Sequence, residues 1–313
     1  MTVGTAPGKV ILLGEHAVVY GEPAIAVPVT QVQARVMVED AEPGGGVTII
    51  ARDLGREFRP FHQCDVGPGE AALAQTVENT LRRLGRRGEP DLRITVTSTV
   101  PIGRGLGSGA AVATALVRAL AGHLGGYLTA RDVSDLVFQT EMLHHGTPSG
   151  IDNTVIAFGK PLYFIKGERD EVFWVGKPFW LLIGDTGIPS STREMVAGVR
   201  RRWEGDRASY EARFSAIGSL VRQARQAMVE GDLPRLGELM NANQDELRAI
   251  GTSSPALERL IAAALAAGAL GAKLSGSGGG GNMIALVEEQ TRHAVQAALT
   301  LAGAQSTILT QVS

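Results

Sequence analysis

The chain of 313 residues has one cysteine, Cys64, so no disulfide can form within it. No histidine sits in a recognisable partner motif beside that thiol, which makes Cys64 structural or incidental and not a nucleophile. A surplus of charge is missing as well: the formal net charge is −2, which gives no reason to expect nucleic acid or an anionic membrane as a partner. The arginine clusters Arg82-Arg83, Arg86-Arg87 and Arg200 to Arg202 are interleaved with Glu78, Glu89, Glu194 and Glu204, the pattern of a solvated helix face. No apolar run is long enough to cross a bilayer, since the longest apolar-rich one, Leu257 to Leu270, carries Glu258 and Arg259. The first residues lack a basic region, and their apolar run, Val10 to Leu13, is too short for a signal peptide, so a cytoplasmic protein is expected. There is no internal repeat and no low-complexity linker.

What is present is 44% hydrophobic and 20% charged residues, the balance of a soluble globular protein with length enough for two domains. The most informative stretch is Pro101 to Ala115, PIGRGLGSGAAVATA, a glycine-rich loop running into an Ala-rich helix. Before it, Leu92 to Val100 alternates as a strand. Strand, glycine loop and helix together suggest an anion site, because the first helical turn offers unpaired N–H groups and the positive end of the macrodipole. Ser108 adds a hydroxyl that can reach a phosphate or a Mg²⁺ bound to it. Two better-known loops are disfavoured. A Walker A loop needs a Gly-Lys-Ser/Thr ending, and this loop ends Ser108-Gly109-Ala110. Gly105, Gly107 and Ala110 fit G-x-G-x-x-A, but no acidic residue ends a strand about twenty residues on. A glycine-rich turn without ligand stands beside the anion-site reading.

Upstream, Thr5 to Gly21 (TAPGKVILLGEHAVVYG) reads as a short buried strand, Val10 to Leu13, with Lys9 before it and Glu15-His16 after it. Lys9 is either a surface lysine or, placed after Pro7-Gly8 read as a sharp turn, a site residue. Ala24 to Val29, Val32 to Glu39 and Val47 to Arg52 are expected strands of an antiparallel meander that turns at Pro43 to Gly46. Asp53 to Pro68 is expected to be a loop, and Gly69 to Leu84 a helix. After the glycine loop come helices Gly109 to Leu124 and Thr129 to His145, the second opened by a Thr129/Asp132 capping box. Glu141 lies near that helix's C-terminal end, where the dipole disfavours a carboxylate. His144 and His145 are adjacent, point to different faces, and read as dipole partners and not a metal pair. The turn HGTPSGIDN delivers Asp152, which is either an ordinary cap or, with Glu141, one of two carboxylates for Mg²⁺ and for proton or charge handling.

A new unit is expected from Pro178. Its strand Trp180 to Asp185 is followed by a capped helix start at Ser190 to Arg193, and long helices occupy Arg207 to Glu230 and Asp232 to Ile250. Ser254-Pro255 opens another helix. In Lys273 to Ile284, KLSGSGGGGNMI, Gly276, Gly278 and Gly281 fit G-x-G-x-x-G, yet a strand follows, so a tight strand-to-strand loop is expected there. Helix Gln290 to Leu301 and strand Thr307 to Val312 complete the chain.

Three segments, APGKVILLGEHAVVYG, PIGRGLGSGAAVATAL and KLSGSGGGGNMIAL, in this order and spacing, resemble the three signature motifs of the GHMP small-molecule kinases, across both halves of the chain. Glu15-His16 followed by Ala-Val-Val-Tyr-Gly, the HGTPSGIDN turn and DTGIPSSTREMVAGVR are similar to the branch of that family acting on mevalonate. A galactokinase would show Arg at Lys9 and Thr-Asp after Glu-His. The resemblance implies an α+β fold of two domains with the active site in the cleft between them. One is a ribosomal-protein-S5-like domain over 1–178 that binds ATP and Mg²⁺. The other is a ferredoxin-like α/β domain over 179–313 that completes the substrate site. It further implies ATP-dependent phosphorylation of the primary (5-) hydroxyl of mevalonate in isoprenoid precursor synthesis, and a homodimer common among relatives. The alternatives are a kinase for phosphomevalonate or a related hydroxy acid, or a catalytically dead nucleotide-binding member.

By the same resemblance Pro101, Gly103, Gly105, Leu106, Gly107, Ser108, Gly109 and Ala110 wrap the ATP phosphates, and Glu141 and Ser108 hold Mg²⁺. Asp152 faces the substrate hydroxyl, taking its proton or orienting it, and Lys9 pairs with Asp152 and lowers the hydroxyl's pKa. Glu15, His16, Thr192 and Arg193 match substrate-side positions. One departure is visible: the family usually has two serines after Gly-Leu-Gly, and the second, the more usual Mg²⁺ ligand, is Gly109 here.

Overall fold

The computed structural model describes residues 1–62, 67–145, 149–168 and 170–313, with residues 143–145 described by backbone alone. Cys64, the His144 and His145 side chains, and Gly146-Thr147-Pro148 of the turn before Asp152 lie outside the described residues. Two compact units are formed. The first comprises Met1–Gly8, Val32–Ile102 and Leu106–Gly159, and the second Lys9–Gln31, Gly103–Gly105 and Lys160–Ser313. Strands β1 (Thr2–Leu13) and β2 (Ala24–Asp40) each contribute to both.

In the first unit the sheet runs β4-β3-β5-β2, with β3 at Val47–Ala51, β4 at Arg56–Phe58 and β5 at Leu92–Ser98. β5 pairs antiparallel with β2 (Val36↔Val96) and parallel with β3 (Ile49↔Ile94). The expected meander through Pro43 to Gly46 is therefore corrected: β5 lies between β2 and β3. Ile94 and Val96 of β5 are buried, and a strand with so apolar a face is the one to hold partners on both edges. β1 is also longer than expected, because Pro7-Gly8 continues the strand and does not turn it. A Cβ on Gly8 would lie 3.1 Å from Val32 Cγ2 and 3.2 Å from the Leu106 carbonyl, so glycine there serves close approach. The expected loop after Asp53 contains β4.

Four helices of this unit are α1 (Pro68–Arg83), α2 (Ser108–His123), α3 (Ala130–His145) and α4 (Ile151–Phe158). The buried side of α2 is largely alanine, which lets β1 approach it closely: a Cβ on Gly4 would meet the Ala115 carbonyl at 2.2 Å. Arg118 then fixes the helix in place, donating to the carbonyls of Thr5 at 2.6 Å and Ala157 at 2.8 Å. At the start of α3, Thr129 N–H donates to the Asp132 carboxylate at 3.0 Å and Asp132 N–H to Thr129 Oγ1 at 3.1 Å, the expected capping box.

In the second unit the first part of β2 pairs with β6 (Leu162–Phe164), which pairs with β7 (Glu171–Val172). Two expected strands are thus one, and Pro28, with no N–H to give, falls between the stretch bonded to β6 and the stretch bonded to β5. A separate antiparallel sheet has the order β11-β8-β10-β9, formed by β8 (Phe179–Asp185), β9 (Gly271–Ser275), β10 (Asn282–Val287) and β11 (Ser306–Val312). Helices α5 (Thr192–Gly205), α6 (Arg207–Glu230), α7 (Leu233–Ala249) and α8 (Pro255–Ala266) begin where Ser191, Asp206, Asp232 and Ser254 each accept an N–H three residues on. Such caps contribute about 1 kcal/mol each. α9 spans Arg292–Leu301.

The edge of β9 is covered by α7. Asn241 Oδ1 accepts from the Ala272 N–H at 2.9 Å and Gln244 Oε1 from the Leu274 N–H at 3.0 Å, two strand residues whose donors point the same way. Side-chain amides thereby satisfy an edge that would otherwise be bare, and they lock the strand that carries Lys273.

Candidate active site

Gly107 caps α2 in the left-handed region, φ 72°, and Ala111 N–H is the first to bond back, to the Gly107 carbonyl at 2.9 Å. The N–H groups of Ser108, Gly109 and Ala110 are left without intrahelical partners, an anion cradle at the helix's positive end. Upstream, Gly103 and Gly105 also have φ near +70°, at 71° and 73°, with nothing among the described residues within 4 Å of a built Cβ. Conformation, not crowding, calls for glycine there. Leu106 and Ala110 are buried anchors, Pro101, Gly107 and Ser108 are half-buried, and Gly103, Gly105 and Gly109 are exposed.

Glu141, in the last turns of α3, reaches this cradle: a Cβ on Gly109 would lie 3.6 Å from Glu141 Oε1. A carboxylate beside an anion site is repulsive when the anion arrives, unless a cation comes with it. A serine hydroxyl, a carboxylate and phosphate oxygens are the hard oxygen donors that Mg²⁺ takes, so the residues present fit that ion. Asp152 stands in the first turn of α4, after Gly150 at φ 91°, and so belongs to a helix start. Its neighbour Asn153 is buried and donates to Ser134 Oγ at 2.9 Å and to the Ser134 carbonyl at 3.2 Å, which fixes the first turn of α4 against α3.

The second unit carries the other expected residues. Lys9 is buried, 6% exposed, in β1. After that strand, His16 adopts φ 62°, ψ −50°, and Ala17 N–H donates to the Glu15 carbonyl at 2.7 Å, closing a γ-turn of the strained hand. Such a residue costs on the order of 1–3 kcal/mol and persists where surrounding contacts hold it. The contacts are present: His16 Nε2–H donates to the Ser277 carbonyl at 3.0 Å, which leaves Nδ1 as the acceptor of a neutral ring. Glu15 is 1% exposed and ion-paired with Lys273 of β9, which is wholly buried and also donates to the Leu274 carbonyl at 2.6 Å. Burial pushes the Glu15 carboxyl up and the Lys273 ammonium down, and their mutual attraction pulls both the other way; Lys9 acts on Glu15 in the same sense as Lys273. Thr192 and Arg193 are exposed in the first turn of α5.

Burial holds the His16 imidazole below its ordinary 6.5. As pH falls through that value the unfolded chain takes up a proton at His16 and the folded chain does not, so stability present at neutral pH is lost on the acid side. Urea midpoints at pH 7.5 and 5.5 should show a larger acid-side loss for the parent than for His16→Gln; equal losses would remove His16 from that dependence.

The loop between β9 and β10 is a tight strand-to-strand connection, as expected, and it packs against residues 188–190 and against Met195 at the start of α5. A Cβ on Gly279 would lie 2.7 Å from Ser190 Oγ, and one on Gly280 2.5 Å from the Ile188 carbonyl. Ser190 and Ser277 hydroxyls bond at 2.8 Å, and Gly281 N–H donates to the Ile188 carbonyl at 2.9 Å. Residues 186–191, which lead to Thr192, are therefore held by the glycine loop. Sequence reasoning did not single out Lys273 or Ser277, and it read Ser190 only as part of a helix start. The one available signal was a lysine within the otherwise apolar strand before that loop.

The description "GHMP kinases N terminal domain" matches residues 72–160, and "GHMP kinases C terminal" matches residues 224–305. The chain belongs to the GHMP kinases. Within that family it is similar to proteins named mevalonate kinase. It is 36% identical to that of Pyrococcus abyssi, covering 100% of this chain and 96% of the relative. It is 37% identical to that of Pyrococcus horikoshii, covering 96% and 92%. Among solved structures, L. major mevalonate kinase in complex with R-mevalonate matches with a TM-score of 0.84 at 29% identity, over 100% of this chain and 96% of that one.

Proposed function

We propose that the chain transfers the γ-phosphoryl group of ATP to the primary 5-hydroxyl of mevalonate, giving 5-phosphomevalonate and ADP for isoprenoid precursor synthesis. The observation that carries this is the cradle of amides without intrahelical partners at the start of α2 with the Glu141 carboxylate beside it, in a chain similar over its whole length to mevalonate kinases. The backbone from Pro101 to Ala110 wraps the phosphates, with Gly103, Gly105 and Gly107 supplying the curvature. Ser108 and Glu141 hold Mg²⁺, which when bound neutralises charge on the phosphates.

The substrate's oxygen bonds to the γ-phosphorus as the bridge to the β-phosphate breaks, and ADP leaves with that electron pair. Asp152 aligns the hydroxyl and accepts its proton; Lys9 offsets the negative charge that gathers on the attacking oxygen. Little covalent chemistry is asked of the protein, and alignment with charge neutralisation does most of the work. His16, Thr192 and Arg193 face the carboxylate-bearing end of the substrate, and Glu15 acts from the buried layer behind them.

Initial rates with ATP, Mg²⁺ and a panel of mevalonate, phosphomevalonate, homoserine and galactose test this reading. Mevalonate should be the preferred acceptor. Turnover of another alcohol with none of mevalonate would overturn the substrate assignment, and nucleotide binding without any turnover would overturn the activity.

A further inference from the structure

Arg104 stands at the tip of the phosphate loop, between two left-handed glycines, and its hydrogen bonds and ion pair among the described residues lie within the second unit. Its carbonyl accepts from Asn282 Nδ2 at 2.6 Å. Its guanidinium forms an ion pair with Asp185, Nε lying 3.4 Å from Oδ2, and donates from Nη2 to Gln305 Oε1 at 3.2 Å. Asn282 and Asp185 are register partners on β10 and β8, and Gln305 immediately precedes Ser306, the Asp185 partner on β11. One level of the four-stranded sheet thus grips the loop.

Asp185 has a second attachment. Its Oδ1 accepts from the Gly187 N–H at 2.8 Å, the bond that starts the turn into residues 186–191 and so into Thr192 and Arg193. Gln305, which accepts from Arg104, also packs against this turn, since a Cβ on Gly187 would lie 2.6 Å from its Oε1. Nη1 of Arg104 is buried and has no hydrogen-bond partner among the described residues, an arrangement that subtracts from stability. What the arginine provides is a mechanical link: the phosphate loop and the acceptor loop close on one carboxylate.

We propose that Arg104 is a positioning residue that couples the two ligand sites, so that filling the phosphate loop and filling the acceptor site favour one another through Asp185. The inference rests on the function proposed above. A shift of the loop tip on binding phosphates is passed through the guanidinium to Asp185 and to the Gly187 turn, and by linkage the effect is the same in both directions.

The test is the affinity of a non-hydrolysable ATP analogue, with Mg²⁺, measured by calorimetry with and without saturating mevalonate. In the parent, mevalonate should tighten the analogue by roughly 5-fold or more, within the usual span of coupling between sites. Arg104→Gln should bring that ratio close to one, and Arg104→Lys should restore part of it. Asp185→Asn keeps an acceptor for the Gly187 N–H while removing the charge opposite Arg104, so it should lose the same coupling, with no further loss in the double variant. A ratio that survives in both Arg104→Gln and Asp185→Asn, or a parent ratio of one, overturns the coupling while leaving the proposed function standing. A parent that binds no mevalonate overturns that function, and the coupling with it.

Discussion

Asp152→Asn is expected to lower kcat for phosphoryl transfer by roughly 10²- to 10⁴-fold, the usual contribution of a positioned proton acceptor, with affinity for an ATP analogue nearly unchanged. Asparagine keeps the size and one acceptor oxygen of the side chain, and the first turn of α4 is fixed independently by Gly150 and by Asn153 on Ser134. In the proposed mechanism, what is lost is the carboxylate that receives the hydroxyl proton. The phosphate cradle at α2 and the Glu141 carboxylate do not include Asp152, so nucleotide binding should persist. Steady-state kinetics with calorimetry of the analogue separate the two effects. A variant with near-parental kcat would take Asp152 out of the chemistry.

The largest expected loss of stability follows Lys273→Met. Methionine fills most of the lysine's volume, but it leaves Glu15, 1% exposed, without its ionic partner and with its Oε2 already lacking a hydrogen bond among the described residues. Removing one partner of such a buried pair typically costs about 3–5 kcal/mol. Glu15 can escape by taking up a proton, which from its ordinary pKa of 4.5 costs about 3.4 kcal/mol at pH 7 but only about 1.4 kcal/mol at pH 5.5. The deficit against the parent should therefore shrink as pH falls from 7 to 5.5. Replacing both residues, Glu15→Gln with Lys273→Met, should recover much of it, because no charge is then stranded. Urea unfolding at the two pH values reads all three results. A deficit independent of pH, or a double variant no better than the single one, would show that the pair does not hold this corner of the second unit.

The helices were legible because their ends are written in local chemistry. Ser191 and Ser254 cap as their sequence positions suggest, and Thr129 with Asp132 forms the capping box, while Asp206 and Asp232 also cap the two long helices. The strands were less so, because pairing partners are distant in sequence. Nothing local to Val47–Ala51 says that its neighbour is β5 and in parallel, and Pro28 reads as a break until the change of partner along β2 is seen. Within the site, the helix start with its left-handed glycines was readable from glycine spacing ahead of an Ala-rich helix. The Glu15–Lys273 pair was not, since burial of a lysine is decided by what α7 and β1 bring around it, 258 residues away along the chain from its partner. Arg104 was passed over for a related reason: among loop glycines its charge looks solvent-facing, and only the sheet level of Asp185, Asn282 and Gln305 gives it a role.

Phosphorus NMR of the reaction of the protein with ATP, Mg²⁺ and R-mevalonate is the most direct measurement. The expected spectrum loses the γ-phosphate of ATP, gains ADP, and gains one phosphomonoester resonance split by the two protons of a neighbouring methylene, which places the new bond on the primary oxygen. ATP unchanged, conversion to free inorganic phosphate alone, or an ester without that splitting would contradict phosphoryl transfer to the 5-hydroxyl.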